Sequence, residues 1–344
     1  MGALLTTQQF SGDVTSGLAL AFLGFAFAML LTPIYTHIAY NWRLWKKQRE
    51  SATTGEKAKV FQKLHGEKHI PTMAGIVTII AVAAATFLFN LSRSQTWLPL
   101  AAMFGAGMVG FVDDIINLRG VGQGIAGLNA KLKLLLITLV AAAGGWYFYF
   151  KLGYNMIYLP FFGEWHLGVW LIPLFIIVII STSNAVNISD GLDGLAGGLL
   201  TIAFGVYAVI AFMQHNLGIA GFCATLVGAL LAYLWFNIYP ARFMMGDVGS
   251  FALGTALGVV AMLTNTVALL PIIGIIFVAE AGSSLIQIVS KKAFHRKVFI
   301  SAPVHHHLEA MGWPETKVTM RFWVLGQVAA VVGLIIALTG GYVK

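Results

Sequence analysis

Charged residues are scarce in this sequence: only 10% of its 344 residues are Asp, Glu, Lys or Arg, whereas 58% are hydrophobic. Soluble domains carry about 25% charged residues, so the composition excludes an ordinary soluble domain. It also excludes intrinsic disorder, which requires low hydrophobicity together with high net charge. With a mean hydropathy of +0.83, the chain is predicted to be a membrane protein with many spanning segments.

Cysteine is nearly missing as well, since Cys223 is the single cysteine and lies in an apolar run. This excludes a disulfide framework and a thiolate metal cluster. The first residues show no basic segment followed by a small-residue cleavage site, so we expect no cleaved signal peptide. The sequence also contains no Walker-type Gly-x-x-x-x-Gly-Lys-Ser/Thr motif, no internal repeat and no low-complexity tract.

Apolar segments that are long enough to cross a bilayer, which takes about 20 residues, recur along the whole chain. The eighth and ninth are nearly continuous, and we expect a break at Asn265, Thr266 and Pro271. The predicted fold is an all-α polytopic membrane protein, residues 1–344 forming one transmembrane helical domain. The ten predicted spans lie near 18–40, 71–91, 97–112, 132–150, 168–187, 195–213, 218–239, 249–264, 268–290 and 322–341.

Basic residues lie on one side of this arrangement. All Lys and Arg residues except Arg93, Lys151 and Lys344 fall in or beside alternate loops, and the positive-inside rule makes those loops cytoplasmic and both termini extracytoplasmic. The net charge of +8 is thus mainly a topology signal. On the other side of the membrane, segment 151–167 shows the residue alternation that is typical of strands and contains Gly163, so a short hairpin is predicted. The predicted cytoplasmic loops lie near 41–69, 113–131, 181–194, 240–248 and 291–321.

Aspartate is concentrated where predicted spans meet the cytoplasmic loops. A single aspartate there is usually a helix cap or a solvated helix end. Several on one membrane face, within apolar sequence, favour a polar site at membrane depth instead. Carboxylate oxygens suit Mg²⁺, which combines one or two protein carboxylates with phosphates and water. We therefore predict a magnesium-dependent site from Asp113, Asp114, Asp190, Asp193 and Asp247.

Three consecutive histidines, His305, His306 and His307, stand in the last predicted cytoplasmic loop. Zinc is weakly supported, because no cysteine lies nearby and adjacent histidines make a poor tetrahedral set. On a helix, only some of three neighbours face one site. Incidental surface histidines are the other alternative. We favour phosphate contact or proton transfer, because histidine titrates near neutral pH.

Three further features can each be interpreted in more than one way. Lys131 and Lys133 begin a span beside the Asp pair, where a lysine can hold a pyrophosphate or neutralise carboxylates. The glycine-rich segment 189–198 begins a helix, where backbone N–H groups can meet an anion, although glycine-mediated helix packing is an equal alternative. Glu280 is predicted to lie within the membrane, where it marks a kink or a proton path, or makes a structural hydrogen bond.

These residues predict the transfer of a phosphoryl group between a soluble nucleotide and a lipid, in a site that mostly neutralises charge and positions the reactants. A secondary transporter is the rival from another class, but transporters place ionisable residues near the bilayer midplane and often show repeats. A purely structural scaffold gives no reason for five aspartates on one face. The basic run 41–69 fits topology and anionic lipid headgroups, and no nucleic-acid partner is expected.

Six segments, in the same order over roughly 65–325, resemble the phospho-N-acetylmuramoyl-pentapeptide transferase family of the polyprenyl-phosphate N-acetylhexosamine-1-phosphate transferase superfamily. The three histidines followed by Glu309, Gly312 and Trp313 resemble the muramoyl branch rather than the N-acetylglucosamine branch. The segments are IPTMAGI at 70–76, GFVDDIINL at 110–118, GLNAKLKLL at 127–135, NAVNISDGLDGLAGG at 184–198, FNIYPARFMMGDVGSFALG at 236–254 and PVHHHLEAMGWPETKVTMRFW at 303–323.

The resemblance implies a bacterial inner-membrane enzyme of ten helices, embedded in the lipid bilayer as a homodimer, with a cytoplasmic active site and Mg²⁺ as its cofactor. It implies transfer of phospho-N-acetylmuramoyl-pentapeptide from a UDP-sugar nucleotide donor to undecaprenyl phosphate. The products are lipid I and UMP, in peptidoglycan biosynthesis. The nearest enzyme rival uses UDP-N-acetylglucosamine with the same lipid.

The resemblance also implies roles for individual residues. Asp247 is the expected Mg²⁺ ligand, and Asp113 and Asp114 are the expected catalytic pair, one of which deprotonates or orients the attacking lipid phosphate. His306 is the expected catalytic histidine and substrate contact. The further expected substrate-binding residues are Lys133 at the pyrophosphate, Asn187, Asp190, Asp193, Asn237, Met244 and Gln287 at the nucleotide, and His305, His307, Thr72 and Lys68.

The chain departs from the family pattern at two positions. Asn117 stands where the family usually has a lysine, three residues after the Asp pair, and Lys68 lies closer to Pro71 than usual. Two mechanisms remain open, namely attack by an aspartate through a phospho-enzyme and direct attack by the lipid phosphate. We favour direct attack, because a deprotonated lipid phosphate is already a nucleophile.

Overall fold

The chain folds into a bundle of apolar helices, and the computed structural model describes residues 2–45, 70–120 and 127–342. In these residues, a π-helical turn at Tyr147–Lys151 continues the fourth α-helix, and 3₁₀ turns occupy Gly168–Trp170 and Val267–Leu269. The α-helices are α1 (Gly2–Asn41), α2 (Gly75–Phe89), α3 (Trp97–Arg119), α4 (Ala130–Trp146), α5 (Leu171–Ser189), α6 (Leu195–Met213), α7 (Leu217–Asn237), α8 (Gly246–Leu263), α9 (Leu270–Ile273), α10 (Ile275–Phe294), α11 (Val304–Ala310) and α12 (Glu315–Thr339).

Ten helical segments of the described chain match the ten predicted spans. Eight are long and apolar enough to cross a membrane, the bent pair that contains α9 and α10 makes a ninth, and α2 is an apolar helix of 15 residues. The prediction of an all-α, multi-pass membrane protein is therefore confirmed. Helix α1 begins well before residue 18, the predicted start of its span. The orientation of the termini across the membrane stays a prediction.

Helix α8 lies at the centre of the bundle. Every residue from Gly246 to Leu263 is buried, and α8 packs against α3 on one side and α5 on another. Helix α7 packs between α1 and α6. Outer helices such as α12 expose apolar side chains, for example Val324 and Val328, as expected for a surface that lipid covers. The start of α8, where Asp247 lies, is thus enclosed by other helices.

The expected break between the eighth and ninth spans is present, and a sharp bend follows it. Helix α8 ends at Leu263, and Asn265 adopts a left-handed conformation with φ of 54°. The segment Val267–Ile273 then meets α10 at an angle of 82°. The bend falls at Gly274, between the single turn of α9 and α10. A predicted span near 268–290 did not anticipate this bend.

The predicted hairpin is present at the end of the bundle away from Asp247. Strands β1 (Met156–Leu159) and β2 (Gly163–His166) pair antiparallel, with Met156 opposite His166. The Asn265 side chain, just beyond the C-terminal end of α8, accepts a hydrogen bond from the Tyr158 backbone N–H at 3.0 Å. The Tyr342 hydroxyl donates to the Tyr158 carbonyl at 2.9 Å. The chain after α12 therefore packs against this hairpin.

Candidate active site

Three aspartates meet where the last turns of α3 approach the first turn of α8. Asp113 and Asp114 lie on α3, and Asp247 lies on α8. Their side chains are buried, with 1%, 0% and 7% of the residue exposed, and one oxygen from each lies within 4.8 Å of the others. The approach requires Gly110, because a Cβ at this position would overlap the Asp247 backbone carbonyl.

Lys133 links two of these carboxylates. Its ammonium lies 2.9 Å from Asp113 Oδ2 and 2.8 Å from Asp247 Oδ2. Helix α4 presents this lysine from its first turn, where the Asn129 side chain caps the helix by accepting from the Lys131 backbone N–H at 3.1 Å. Lys131, two positions earlier, is exposed, because residues two apart on a helix face different directions. Of the two lysines considered from the sequence, only Lys133 reaches the aspartates.

Backbone N–H groups at the start of α8 are bound by aspartates from two other helices. Asp114 Oδ2 accepts from the Val248 N–H at 3.0 Å, and Asp190 Oδ2 accepts from the Gly246 N–H at 3.2 Å. The first N–H groups of a helix have no partner within the helix and favour negative charge. Asp114 and Asp190 therefore fix the position of Asp247, which lies between these two donors.

The segment that follows α5 is tied to the same helix and to α7. Asn187 donates from its amide to Ser250 Oγ at 2.8 Å. Asp193 Oδ2 accepts from the Ala241 N–H at 3.0 Å, and Asn237 Oδ1 accepts from the Gly194 N–H at 3.0 Å. These contacts bring predicted nucleotide-site residues from α5, its C-terminal segment and α7 to the aspartate end of the bundle.

Thr72 and Met244 lie beside this segment. The Thr72 hydroxyl is so near Gly246 that a Cβ on that glycine would lie 2.8 Å from it. The Met244 N–H donates to the Pro71 carbonyl at 2.8 Å, and the Asn237 amide approaches Met244 Sδ at 3.8 Å. Both residues therefore border the start of α8. Lys68 lies outside the described residues, as does most of the predicted loop 41–69.

The three histidines lie on the short helix α11 and point to different partners. His305 is buried, and its Nδ1 lies 2.6 Å from Glu280 Oε2. His306 Nδ1 lies 2.7 Å from Glu309 Oε2. His307 Nδ1 accepts from the Ile300 N–H at 3.2 Å. A site that uses all three side chains at once does not fit this arrangement.

The histidine helix contacts the aspartate end through the segment after α5. A Cβ on Gly191, next to Asp190, would lie 2.5 Å from His305 Nε2, so the imidazole packs directly on that backbone. Helix α12 adds a contact, because Glu315 Oε1 accepts from the Asp193 N–H at 2.7 Å. Sequence reasoning missed Glu315, Glu309 and Ser250. Two of them had a signal, since Ser250 lies three residues after Asp247 and Glu309 lies three residues after His306, each pair on one helical face.

The contacts of Gln287 and the burial of Asn117 were not predicted from the sequence. The Gln287 side chain donates to the Phe299 carbonyl and accepts from the N–H groups of Val298 and Phe299, at 2.9, 3.0 and 3.0 Å. It holds the segment before α11, and its role at the nucleotide stays a prediction. Asn117, which replaces the family lysine, is buried one turn beyond Asp113.

The set of Asp113, Asp114 and Asp247 fits a divalent metal ion. It supplies buried carboxylate oxygens that are close enough to share one cation, and such oxygens are hard ligands. Lys133 adds a positive charge at the same carboxylates. Cations held at buried carboxylates can neutralise the charge of phosphate groups. The arrangement therefore suits chemistry on a phosphate or a pyrophosphate.

Comparisons with known proteins agree with this chemistry. The model of glycosyl transferase family 4 matches residues 96–265. The phospho-N-acetylmuramoyl-pentapeptide-transferase of Chloroflexus aggregans (strain MD-66 / DSM 9485) is 38% identical over 343 residues, which cover 96% of this chain and 91% of the relative. That of Geobacter sp. (strain M21) is 38% identical over 283 residues, covering 77% and 78%. The chain therefore belongs to the phospho-N-acetylmuramoyl-pentapeptide-transferase family.

Proposed function

We propose that this enzyme transfers phospho-N-acetylmuramoyl-pentapeptide from its UDP donor to undecaprenyl phosphate. The products are lipid I and UMP, and the reaction serves peptidoglycan synthesis. Family membership supports the reaction type and the substrates. The observation that carries the proposal is the Lys133 ammonium between Asp113 and Asp247, with Asp114 beside them, because displacement at a phosphorus of a pyrophosphate needs positive charge held on a rigid scaffold.

Mg²⁺ is the metal that we propose for this site. Asp247 is its proposed ligand, with the carboxylates of Asp113 and Asp114 close enough to take part. When bound, Mg²⁺ neutralises phosphate charge and acts as a Lewis acid. Asp114 and Asp190 hold the start of α8 through its N–H groups, so that the Asp247 side chain keeps its position when charge changes nearby.

The remaining predicted residues have roles that follow from their positions. Lys133 contacts the pyrophosphate of the donor, and Asp113 orients the attacking lipid phosphate or takes its proton. His306 and His307 contact the donor from α11, and His305 lies behind them. The proposed nucleotide-site residues are Asn187, Asp190, Asp193, Asn237, Met244, Gln287, Thr72 and Lys68.

Direct displacement is the proposed mechanism. An oxygen of the lipid phosphate forms a bond to the sugar-linked phosphorus of the donor, while the bond from that phosphorus to the bridging oxygen breaks and UMP leaves. An aspartate nucleophile is disfavoured, because the Lys133 ammonium lies 2.9 Å from Asp113 Oδ2 and stabilises its negative charge. Moreover, Asp113 Oδ1 accepts from the Leu128 N–H at 2.6 Å, and Asp114 Oδ2 binds the Val248 N–H.

The placement in the cell is part of the same proposal. The basic residues of the alternate loops favour an aspartate end that faces the cytoplasm of a bacterial inner membrane. A soluble UDP donor and a membrane-held lipid phosphate would both reach this face. We also propose that each chain forms a single transmembrane domain. On the basis of the family resemblance, two such chains form a homodimer.

The test is an assay of UMP release by the purified enzyme in detergent, with UDP-N-acetylmuramoyl-pentapeptide, undecaprenyl phosphate and Mg²⁺. We expect release that requires the lipid and stops with EDTA. The Asp247→Ala enzyme should lose activity by about 100- to 1,000-fold, as when a charge-stabilising group is removed, with little loss of folded protein. Asp13 is an acid on α1, far along the chain from the site. The Asp13→Asn enzyme is the matched control and should keep full activity.

Two outcomes contradict parts of this proposal. Turnover of UDP-N-acetylglucosamine but not of the muramoyl donor would overturn the donor assignment. Near-normal activity of Asp247→Ala in excess Mg²⁺ would overturn the metal assignment, while leaving the family and the reaction type unaffected.

A further inference from the structure

Glu280 is an acid buried in an apolar helix, and the proposed function gives it no task. It lies on α10, six residues after the bend at Gly274. Both Glu280 and His305 are 0% exposed, and Glu280 Oε2 lies 2.6 Å from His305 Nδ1. An ionised carboxylate only accepts hydrogen bonds. In the tautomer in which Nδ1–H donates to this carboxylate, Nε2 on the other side of the ring is left as an acceptor.

The far side of the His305 ring touches two parts of the candidate active site. Its Nε2 and Cε1 atoms press on Gly191, where an added Cβ would lie at 2.5 and 2.9 Å. Its ring centroid lies 4.1 Å from that of His306. Glu280 is therefore connected, through one imidazole, to the backbone beside Asp190 and to the neighbouring histidine.

The pair is costly if its only task is to hold the helices together. Among the described residues, Glu280 Oε1 and His305 Nε2 are buried with no hydrogen-bond partner, and each such group loses its hydrogen bonds to water without gaining one in the protein. Apolar residues of the same volume would fill this space at least as well, because replacing both partners of a buried hydrogen bond by apolar groups of the same shape can be nearly neutral or stabilising. Stability therefore gives no reason for an acid at this position.

We propose that Glu280 is a positioning residue of the enzyme, which acts through His305. It fixes the tautomer and orientation of the imidazole, and the imidazole in turn supports the Asp190–Asp193 segment and His306. Carboxylates behind a histidine do this in metal sites, where their loss typically costs 10- to 100-fold. Because that segment and His306 are assigned to the donor, this inference rests on the proposed function, and it predicts an effect on donor use rather than lipid use.

Four variants of the intact enzyme test the proposal. Glu280→Leu removes the contact, and Glu280→Gln keeps an oxygen that can accept from Nδ1–H. The double variant Glu280→Leu/His305→Phe replaces the whole pair by apolar side chains. Ser284→Ala, one turn further along α10 and partly buried, is the control for a change in the same helix. Each variant is measured for kcat, for KM of donor and lipid, and for thermal unfolding.

We expect kcat/KM for the donor to fall 10- to 100-fold in Glu280→Leu, with KM for the lipid unchanged within twofold. Glu280→Gln should recover most of the loss. The double variant should be as slow as Glu280→Leu, because both act through one pathway, yet unfold at or above the wild-type temperature. Ser284→Ala should match the wild type.

A merely structural role predicts a different pattern. In that case Glu280→Leu would unfold earlier while its folded fraction kept normal kinetics, and a stable double variant would be fully active. Either result overturns the proposal, as does an equal rise in the KM of donor and lipid.

The test also separates this inference from the proposed function. If the wild type fails to use the muramoyl donor, the proposed substrate is wrong, and Glu280 is then tested with UDP alone as the probe. Calorimetry should show UDP binding about tenfold weaker in Glu280→Leu than in Ser284→Ala. Equal affinity in the two variants would overturn the role of Glu280, whatever the donor is.

Discussion

The Lys133 ammonium lies 2.8 Å from Asp247 Oδ2, so the carboxylate proposed to bind Mg²⁺ already forms an ion pair with a lysine. The same ammonium lies 5.3 Å from the centre of the Phe251 ring on α8. Asp247 thus faces a lysine that is fixed on two sides and only partly exposed to water. Lysine and metal would neutralise the same negative charge, which makes each sensitive to the loss of the other.

Replacing Lys133 by Met should therefore increase the effect of Mg²⁺ on stability. Without the ammonium, the buried carboxylates of Asp113 and Asp247 repel each other, and a bound cation relieves this repulsion. We expect the unfolding temperature of Lys133→Met to be lower than that of the wild type in EDTA, and to rise more steeply with added Mg²⁺. Turnover should fall about 100-fold. Thermal unfolding over a Mg²⁺ titration measures the first effect.

Lys131→Met is the matched control, because Lys131 is exposed on the same helix turn. It should show the wild-type response to Mg²⁺ and near-normal turnover. If Lys133→Met and Lys131→Met respond equally to Mg²⁺, the lysine and the metal do not share a carboxylate.

The hydrogen bond from Asp114 to the start of α8 should contribute to stability. Asp114 Oδ2 binds the Val248 N–H at the start of α8, so Asp114→Ala leaves a helix N–H without its partner and should destabilise by about 1 kcal/mol. Asp114→Asn keeps an accepting oxygen and should unfold close to the wild type. Thermal unfolding distinguishes the two variants. Equal destabilisation by Ala and Asn would show that the charge of Asp114, rather than its hydrogen bond, holds α8.

The direct mechanism predicts that the donor alone does not react. Without undecaprenyl phosphate, we expect no burst of UMP and no exchange of labelled UMP into the donor, because no covalent intermediate forms. Rapid quench with radiolabelled donor measures both, and mass spectrometry of the peptide 110–118 detects any phosphate on an aspartate. A stoichiometric burst of UMP, or phosphate found on Asp113 or Asp114, would require the phospho-enzyme.

The sequence predicted the elements and the residue types of the site, but not which side chains would pair. Asp113, Asp114 and Asp247 could be placed together because each lies at the end of a strongly apolar span, and the ends of such spans meet at one membrane face. The contact of Lys133 with two aspartates depends on how α4 packs against α3 and α8. Hydrophobic pattern does not encode that packing, so the residues alone left Lys131 and Lys133 equivalent, and only the family resemblance singled out Lys133.

Longer-range features escaped prediction for the same reason. Glu280 was recognised as an acid within the membrane, yet its partner His305 lies 25 residues further along the chain. The bend between α9 and α10 falls at Gly274, directly after the single turn of α9 that contains Pro271. Glycine is common in membrane helices, so a single glycine at position 274 was not enough to predict a bend.

Gly110 should tolerate no side chain, because a Cβ at this position would overlap the Asp247 backbone carbonyl. Gly110→Ala must push α3 away from α8 and so separate Asp113 and Asp114 from Asp247. We expect turnover to fall at least 100-fold, as small misplacements of reacting groups can cost that much, together with a lower unfolding temperature. Gly205→Ala on α6 is the control, since nothing lies within 4 Å of its added Cβ. Wild-type activity in Gly110→Ala would contradict the close contact of these helices.

The orientation of the bundle can be tested by labelling in intact cells. Phe162, at the tip of the hairpin, is 80% exposed, and Phe294, at the end of α10, is 69% exposed. The basic residues near α10 favour the cytoplasm, so a membrane-impermeant maleimide should label Phe162→Cys in intact cells and Phe294→Cys only after permeabilisation. The native Cys223 is fully buried and should give little background, which the unsubstituted enzyme measures. Labelling of Phe294→Cys from outside, with Phe162→Cys protected, would place the aspartate end away from the cytoplasm and exclude a cytoplasmic UDP donor.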